Sequence, residues 1–184
     1  MKIKTKFGLL AGSLIFACAA YSMAQGNSPH NSENGQAVHE HSPSTLVQLV
    51  RKGTSQYIDV NNATAAGYGP FLGCVAGTDH GAMGIHYVNS SLLNGTIDAA
   101  HPQALIYEPS NGQMKLVGVE FITDAATWLT HNAGPPVLEG QVFLLVDGPN
   151  RFNIPSFFEL HVWAWRDNPQ GSFVDWNDHV SCPH

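Results

Sequence analysis

Ionisable side chains interrupt four stretches of sequence whose β-branched and aromatic residues are otherwise typical of β-strands. Glutamate and histidine are costly to bury without a partner, so their recurrence in strands predicts one shared polar site on a sheet. Two imidazoles and two or three carboxylates suit a divalent transition metal such as Mn²⁺, Fe²⁺, Zn²⁺ or Cu²⁺. The candidate metal ligands are His86, Glu108, Glu120, Glu159 and His161.

The last of these stretches, residues 157–165, is predicted to be one long strand because it contains no glycine or proline. Strand side chains alternate between faces, so Glu159 and His161 are expected to share a face with two tryptophans. The two tryptophans could form part of the core, but an enzyme at this site would need a wall for its substrate, which aromatic rings can supply. The expected wall consists of Tyr87, Trp163 and Trp165.

The turn between the strands that carry Glu108 and Glu120 decides whether these two carboxylates share a face. A two-residue loop at the Asn-Gly pair would align Glu108 with Lys115 and put the glutamates on opposite faces. A three- or five-residue loop would align Glu108 with Met114 and put them on the same face. Because Pro109 has no N–H for strand pairing, we expect the longer loop and a shared face.

Three functions fit these residues, and the sequence leaves all three open. The first is a metal-binding protein, and the second is a metal-dependent or acid–base enzyme for a small extracytoplasmic substrate. The third is a non-catalytic module that binds a small ligand. The sequence has neither a Gly-x-Ser-x-Gly nucleophile motif nor a P-loop. Second-choice ligands are Asp79 and His80, which lie in a glycine-rich segment that could swing them toward the sheet.

The first 24 residues are predicted to be a signal peptide rather than part of the fold. Three lysines precede an apolar run at 7–20 that is too short to span a bilayer, and a Ser-Met-Ala sequence fits a cleavage site. A lipoprotein processed before Cys18 is the alternative, although the bulky Phe16 suits that motif poorly. The protein is therefore predicted to be secreted or periplasmic.

Residues 25–43 are rich in His, Asn and Ser and are predicted to be a disordered leader. The His39-Glu40-His41 sequence within it could hold a metal only loosely. Beyond the signal peptide, five basic residues stand against 14 acidic ones, which gives a formal charge of −9. Such a surface disfavours nucleic acid and anionic membranes as partners. No second apolar run is long enough to span a bilayer.

Two cysteines, Cys74 and Cys182, remain after the signal peptide is removed. In an oxidising compartment an even pair predicts a disulfide, which here would tie the end of the chain to the start of the domain. Two free thiols or half of a metal site are the alternatives.

Residues 44–184 are predicted to form a single α+β domain. Helical spacing extends over 44–66, where Ser44 can cap the start, Gly67 can end the helix and Gly53 can split it. We expect this helical region to pack on a curved antiparallel sheet of about five strands. The sequence does not decide whether the sheet closes into a barrel. The expected strands lie at 85–88, 103–107, 115–123, 142–146 and 157–165.

Several blocks resemble a family of small secreted proteins of uncharacterised function. The longest block is Leu-His-Val-Trp-Ala-Trp at 160–165, followed by Asn-Pro at 168–169, Gly171-x-Phe173 and Asp-Trp-Asn at 175–177. Shorter blocks lie at 83–87, 104–109 and 116–121. The resemblance spans about 67 to 182 and implies a secreted protein, without implying an activity.

Overall fold

The computed structural model describes residues 44–182, so the predicted signal peptide and leader lie outside the described residues. The chain begins with helix α1 (Thr45–Thr54), a 3-10 turn (Ser55–Ile58) and helix α2 (Val60–Ala65). The Ser44 hydroxyl accepts a hydrogen bond from the Val47 N–H, which confirms the predicted cap. Gly67, at φ +93°, follows the last turn.

The helical region is divided near Gly53, as predicted, since α1 ends at the next residue, Thr54. A Cβ at this position would lie 2.6 Å from the Ala100 Cα. Glycine therefore permits a close approach between α1 and the loop that contains Ala100. The buried face of α1, formed by Leu46, Val47 and Val50, packs into the main hydrophobic core.

Six antiparallel strands form a curled sheet that closes halfway to a barrel. The strands are β1 (Gly69–Ala76), β2 (Ala82–Val88), β3 (Ala104–Ser110), β4 (Gln113–Asp124), β7 (Leu144–Val146) and β8 (Phe157–Val162). They lie in the order β1-β2-β3-β4-β8-β7. This mixed α+β architecture matches the prediction, with six strands in place of about five. A short helix α3 (Ala125–Leu129) follows β4, and β5 (Val137–Leu138) pairs with β6 (Gln141–Val142) in a separate hairpin.

The two faces of the sheet have different surroundings. The helix face packs into the main core together with α1, and it carries Leu105, Val119 and Leu160. The opposite face, here called the site face, carries the ionisable residues and a smaller apolar cluster. That cluster consists of Ala82, Ile106, Val117, Trp163 and Val180.

The β3–β4 hairpin corrects the predicted register. Glu108 pairs with Lys115, so the turn is the two-residue Asn-Gly loop and the expected longer loop is wrong. Both turn residues have positive φ, which matches the twist of a tight hairpin. An irregularity after Ile106 skips one residue of β4, and Ala104 then pairs with Glu120. Because that bulge reverses the alternation once, Glu108 and Glu120 still share the site face.

Strand β8 is shorter than predicted and ends at Val162, before the two tryptophans. The Trp163 N–H donates to the Ser172 carbonyl, whereas the Trp165 N–H donates to the Val117 carbonyl. The chain therefore leaves the regular ladder, and alternation no longer predicts which face these residues occupy. Trp165 lies on the helix side, where its Nε1 donates to the Thr54 hydroxyl at 3.1 Å.

A disulfide joins Cys74 on β1 to Cys182 near the end of the chain, which confirms the predicted pair. It fixes the C-terminal segment, residues 163–182, which also pairs with the sheet where Asn177 meets Ala82. Within residues 44–182, none of the helices has the length and apolar character needed to cross a membrane.

Candidate metal centre

Three donor atoms from three strands meet on the site face. Glu120 on β4 and His161 on β8 are direct cross-strand partners, and His86 comes from β2. The His86 Nε2 lies 3.3 Å from the His161 Nε2 and 3.3 Å from the Glu120 Oε2. One ligand atom from each residue lies within 4.8 Å of the others, and all three residues are buried.

A second group shares His161 with the first and adds Glu159 and Asp175. Glu159 lies two residues before His161 on β8, so both side chains occupy the site face. Asp175 comes from the C-terminal segment, and its Oδ1 lies 3.7 Å from the His161 Nδ1. The residues His86, Glu120, Glu159 and His161 are called the cluster below, and Asp175 lies beside it.

Burial controls the protonation of this cluster. It lowers the pKa of His86 to about 4, and burial, followed by the nearby His86, lowers the pKa of His161 well below its usual range. Burial, followed by the neighbouring Glu159, raises the pKa of Glu120 well above its usual range. Burial also raises the pKa of Glu159 and of Asp175. At neutral pH both imidazoles are therefore neutral, which is the form that ligates a metal.

The His161 Nδ1 is the unsatisfied atom of the cluster. It is buried and has no hydrogen-bond partner among residues 44–182. If the Nε2 atom binds a cation, the proton must sit on Nδ1, which faces the Asp175 carboxylate. A carboxylate behind a ligating imidazole orients the ring and fixes its tautomer.

A cavity of about 550 Å³ opens beside the cluster. Its only ionisable lining residues among those described are His86, Glu120, Glu159 and His161. The remaining wall is mainly apolar and comes from β1, β2, β4, β8 and the segments that follow β2 and precede β8. The principal apolar side chains are Phe71, Leu72, Val75, Met83, Val88, Leu93, Ile122, Phe152, Ile154 and Phe157.

The structure brings together four of the five predicted ligands and separates Glu108 from them. Glu108 forms an ion pair with Arg166 and accepts a hydrogen bond from the Ser181 N–H at 3.0 Å. It lies four residues along β3 from Ala104, the partner of Glu120, which corresponds to about 13 Å of strand. Its carboxylate therefore anchors the C-terminal segment and does not reach the cluster.

The second-choice ligands and the expected aromatic wall lie elsewhere. Asp79 and His80 are exposed in the β1–β2 loop. Tyr87 packs against Tyr107 on the helix face, with ring centroids 4.9 Å apart. Of the three predicted wall residues, Trp163 alone contacts the cluster: its ring stacks on that of His161, with ring centroids 6.2 Å apart.

Two features of the site were missed from the sequence. Asp175 lies in an irregular segment, where strand alternation gives no signal. The β1 side of the cavity lies in a segment rich in glycine and proline, which predicts a loop rather than a strand.

Comparisons with protein-family models, curated proteins and solved structures found no match to this chain. The resemblance to small secreted proteins remains a prediction. Two asparagines of the resembling blocks have structural partners here. Asn168 donates to the Trp176 carbonyl at 2.8 Å, and the buried Asn177 side chain accepts from the His179 N–H at 2.9 Å.

Proposed function

We propose that this protein binds a divalent transition metal ion through the Nε2 atoms of His86 and His161 and the carboxylate of Glu120. The observation that carries the proposal is the convergence of these three buried donors within 4.8 Å. Two imidazoles and one carboxylate form a set that Zn²⁺, Fe²⁺ and Mn²⁺ use in proteins.

A cation would also resolve the electrostatics of the metal-free cluster. Carboxylates gathered in a buried space repel one another unless they are protonated or share a cation. Among the described residues that line the cavity there is no lysine or arginine to supply that charge. A bound metal would take the Glu120 carboxylate and both Nε2 atoms as ligands, and it would direct the His161 Nδ1–H toward Asp175.

Elemental analysis of the untagged full chain, purified without chelator, tests the proposal. The chain should carry His39→Ala and His41→Ala, so that the leader cannot contribute metal. We expect about one metal ion per chain, and Glu120→Gln should weaken binding at least ~100-fold because it removes a direct ligand.

Glu108→Gln is the matched control, since Glu108 is a buried glutamate on the same face but outside the cluster. It should keep the metal. A wild-type chain that takes up none of Mn²⁺, Fe²⁺, Zn²⁺ or Cu²⁺ at micromolar concentration would refute metal binding, and equal loss in both variants would refute the assignment of Glu120.

Metal-dependent catalysis is a second candidate, favoured by the position of Glu159. This carboxyl group lines the cavity and neighbours Glu120. Three protein ligands leave a coordination position for water or substrate, and a neighbouring carboxylate can act as general base. In this case Glu159→Gln would retain the metal and lose turnover of a substrate, whereas a binding protein would show no turnover to lose.

We also propose that the protein is secreted or periplasmic. The Cys74–Cys182 disulfide supports an oxidising compartment. Cell fractionation with mass measurement of the processed N-terminus would test this, and recovery of the unprocessed chain in the cytoplasm with free thiols would contradict it.

A further inference from the structure

We infer that the cavity binds a small amphiphile whose hydrocarbon body fills the apolar wall and whose single oxygen-donor head group, such as a carboxylate, reaches the metal. This inference rests on the proposed metal site. It adds the class of ligand and the residues that select it.

The size and lining of the cavity support an apolar body. A volume of about 550 Å³ falls within the range of small-molecule sites, which is about 300–1,000 Å³. Phe152, Ile154 and Phe157, in and before β8, line it together with Phe71, Leu72 and Val75 of β1. A ligand with polar groups along its length would lose hydrogen bonds to water against this wall without replacement.

The distribution of polar groups supports a single head. Apart from the four ionisable residues of the cluster, Ser90 is the only lining residue in the described chain with a polar side chain. The same lining has no lysine or arginine. An anionic head therefore finds no cationic side chain, and the metal would supply the positive charge. Three protein donors leave room for an oxygen atom of the ligand to complete the coordination.

Strand β1 shows two independent features expected of a ligand-binding edge. Phe71 and Leu72 are 40% and 55% exposed, although both are large apolar residues that line the cavity. Leu72 also has φ +60°, a left-handed conformation that branched side chains seldom adopt. Strained backbone tends to persist at binding sites. A hydrocarbon chain in the cavity would cover both side chains.

Isothermal titration calorimetry of the full chain with sodium decanoate tests the inference. The chain is loaded with one equivalent of Zn²⁺ in one series and treated with EDTA and desalted in the other. We expect decanoate to bind the zinc-loaded protein at least ten-fold more tightly than the metal-free protein. Decylammonium, with the same chain and a cationic head, and acetate, with the same head and no chain, should each bind at least ten-fold more weakly.

Ile154→Asp places a charge in the cavity wall and should weaken decanoate binding at least ten-fold with the zinc content unchanged. The matched control is Leu145→Asp, at a 54% exposed residue that does not line the cavity.

Zinc binding without decanoate binding, or equal binding of acetate and decanoate, would overturn this inference and leave the metal site standing. Absence of zinc binding would instead overturn the metal site. Equal decanoate affinity with and without zinc would refute coordination of the head group.

Discussion

His86 gives the most direct test of the burial of the site, through the pH dependence of stability. In the metal-free protein its pKa falls from 6.5 to about 4 because the ring is buried. The nearest ionisable groups, Glu120 and His161, also titrate abnormally, the first with a raised pKa and the second with a lowered one. Replacement of His86 by glutamine removes one titrating group and retains a polar side chain of similar length.

The sign and size of the effect follow from linkage. Between pH 4 and 6.5 the unfolded chain binds a proton at His86 that the folded chain does not bind, so the free energy of unfolding rises with pH. A pKa change from 6.5 to about 4 corresponds to roughly 3 kcal/mol across this interval, at about 1.4 kcal/mol per pH unit. The raised pKa of Glu120 contributes a slope of the opposite sign, since the folded state holds that proton more tightly. The difference between wild type and variant therefore isolates His86 better than either curve does.

Urea denaturation in EDTA, at half-unit steps from pH 4 to 7, measures this difference. We expect the wild-type free energy of unfolding to rise, relative to that of His86→Gln, by about 3 kcal/mol over the range. His131→Gln removes an exposed histidine outside the site and is the matched control for loss of an imidazole. Parallel curves for wild type and His86→Gln, within about 1 kcal/mol, would refute the argument that burial keeps His86 neutral.

Two further predictions concern the framework that holds the site. In guanidinium denaturation, the free energy of unfolding of the Cys74→Ser/Cys182→Ser variant should be about 3–5 kcal/mol lower than that of the wild type, because the disulfide closes a loop with a sequence separation of 108. A decrease below about 1 kcal/mol would mean that other contacts hold the C-terminal segment. Gly84→Ala should lower the free energy of unfolding by about 2–4 kcal/mol, because Gly84 has φ +93° and an added Cβ would lie 2.7 Å from the Tyr107 carbonyl oxygen. The control for backbone strain alone is Gly95→Ala, also at positive φ but with open space around its Cβ. Equal decreases in the two variants would contradict the role of the close approach.

Local patterns predicted the strand that carries two residues of the cluster, Glu159 and His161. Alternation along β8 placed Glu159 and His161 on one face and Leu160 on the other, and the structure has this arrangement. The pattern failed where the ladder ends. Trp165 lies beyond Val162, where individual backbone hydrogen bonds, from Trp163 to Ser172 and from Trp165 to Val117 of β4, replace the regular strand pairing. Periodicity holds only as far as the regular backbone that produces it.

The shared face of Glu108 and Glu120 was predicted for the wrong reason. The expected long turn does not form, and a bulge opposite Ile106 restores the alternation instead. Alternation predicts which face a strand residue occupies but not how far along the strand it lies from another residue. The partners of the Glu108 carboxylate, Arg166 and Ser181, come from segments far away in sequence. Long-range partners of this kind have no local sequence signal.

Two small residues with unreactive side chains, Ala104 and Gly118, lie beside the three converging donors. His86 and Glu120 lie on β2 and β4, two strand spacings apart, which is about 9.5 Å, yet their side chains approach to 3.3 Å. On β3, between the two strands, Ala104 pairs with Glu120 and Ile106 pairs with His86, so the side chain next to Glu120 is only a methyl group. On β4, Gly118 lets β8 approach, because a Cβ there would lie 3.0 Å from the Val162 carbonyl oxygen. The ligands are recognisable in the sequence because they are ionisable residues within strands. Ala104 and Gly118 are small and uncharged, so the sequence alone does not indicate that they contribute to the site.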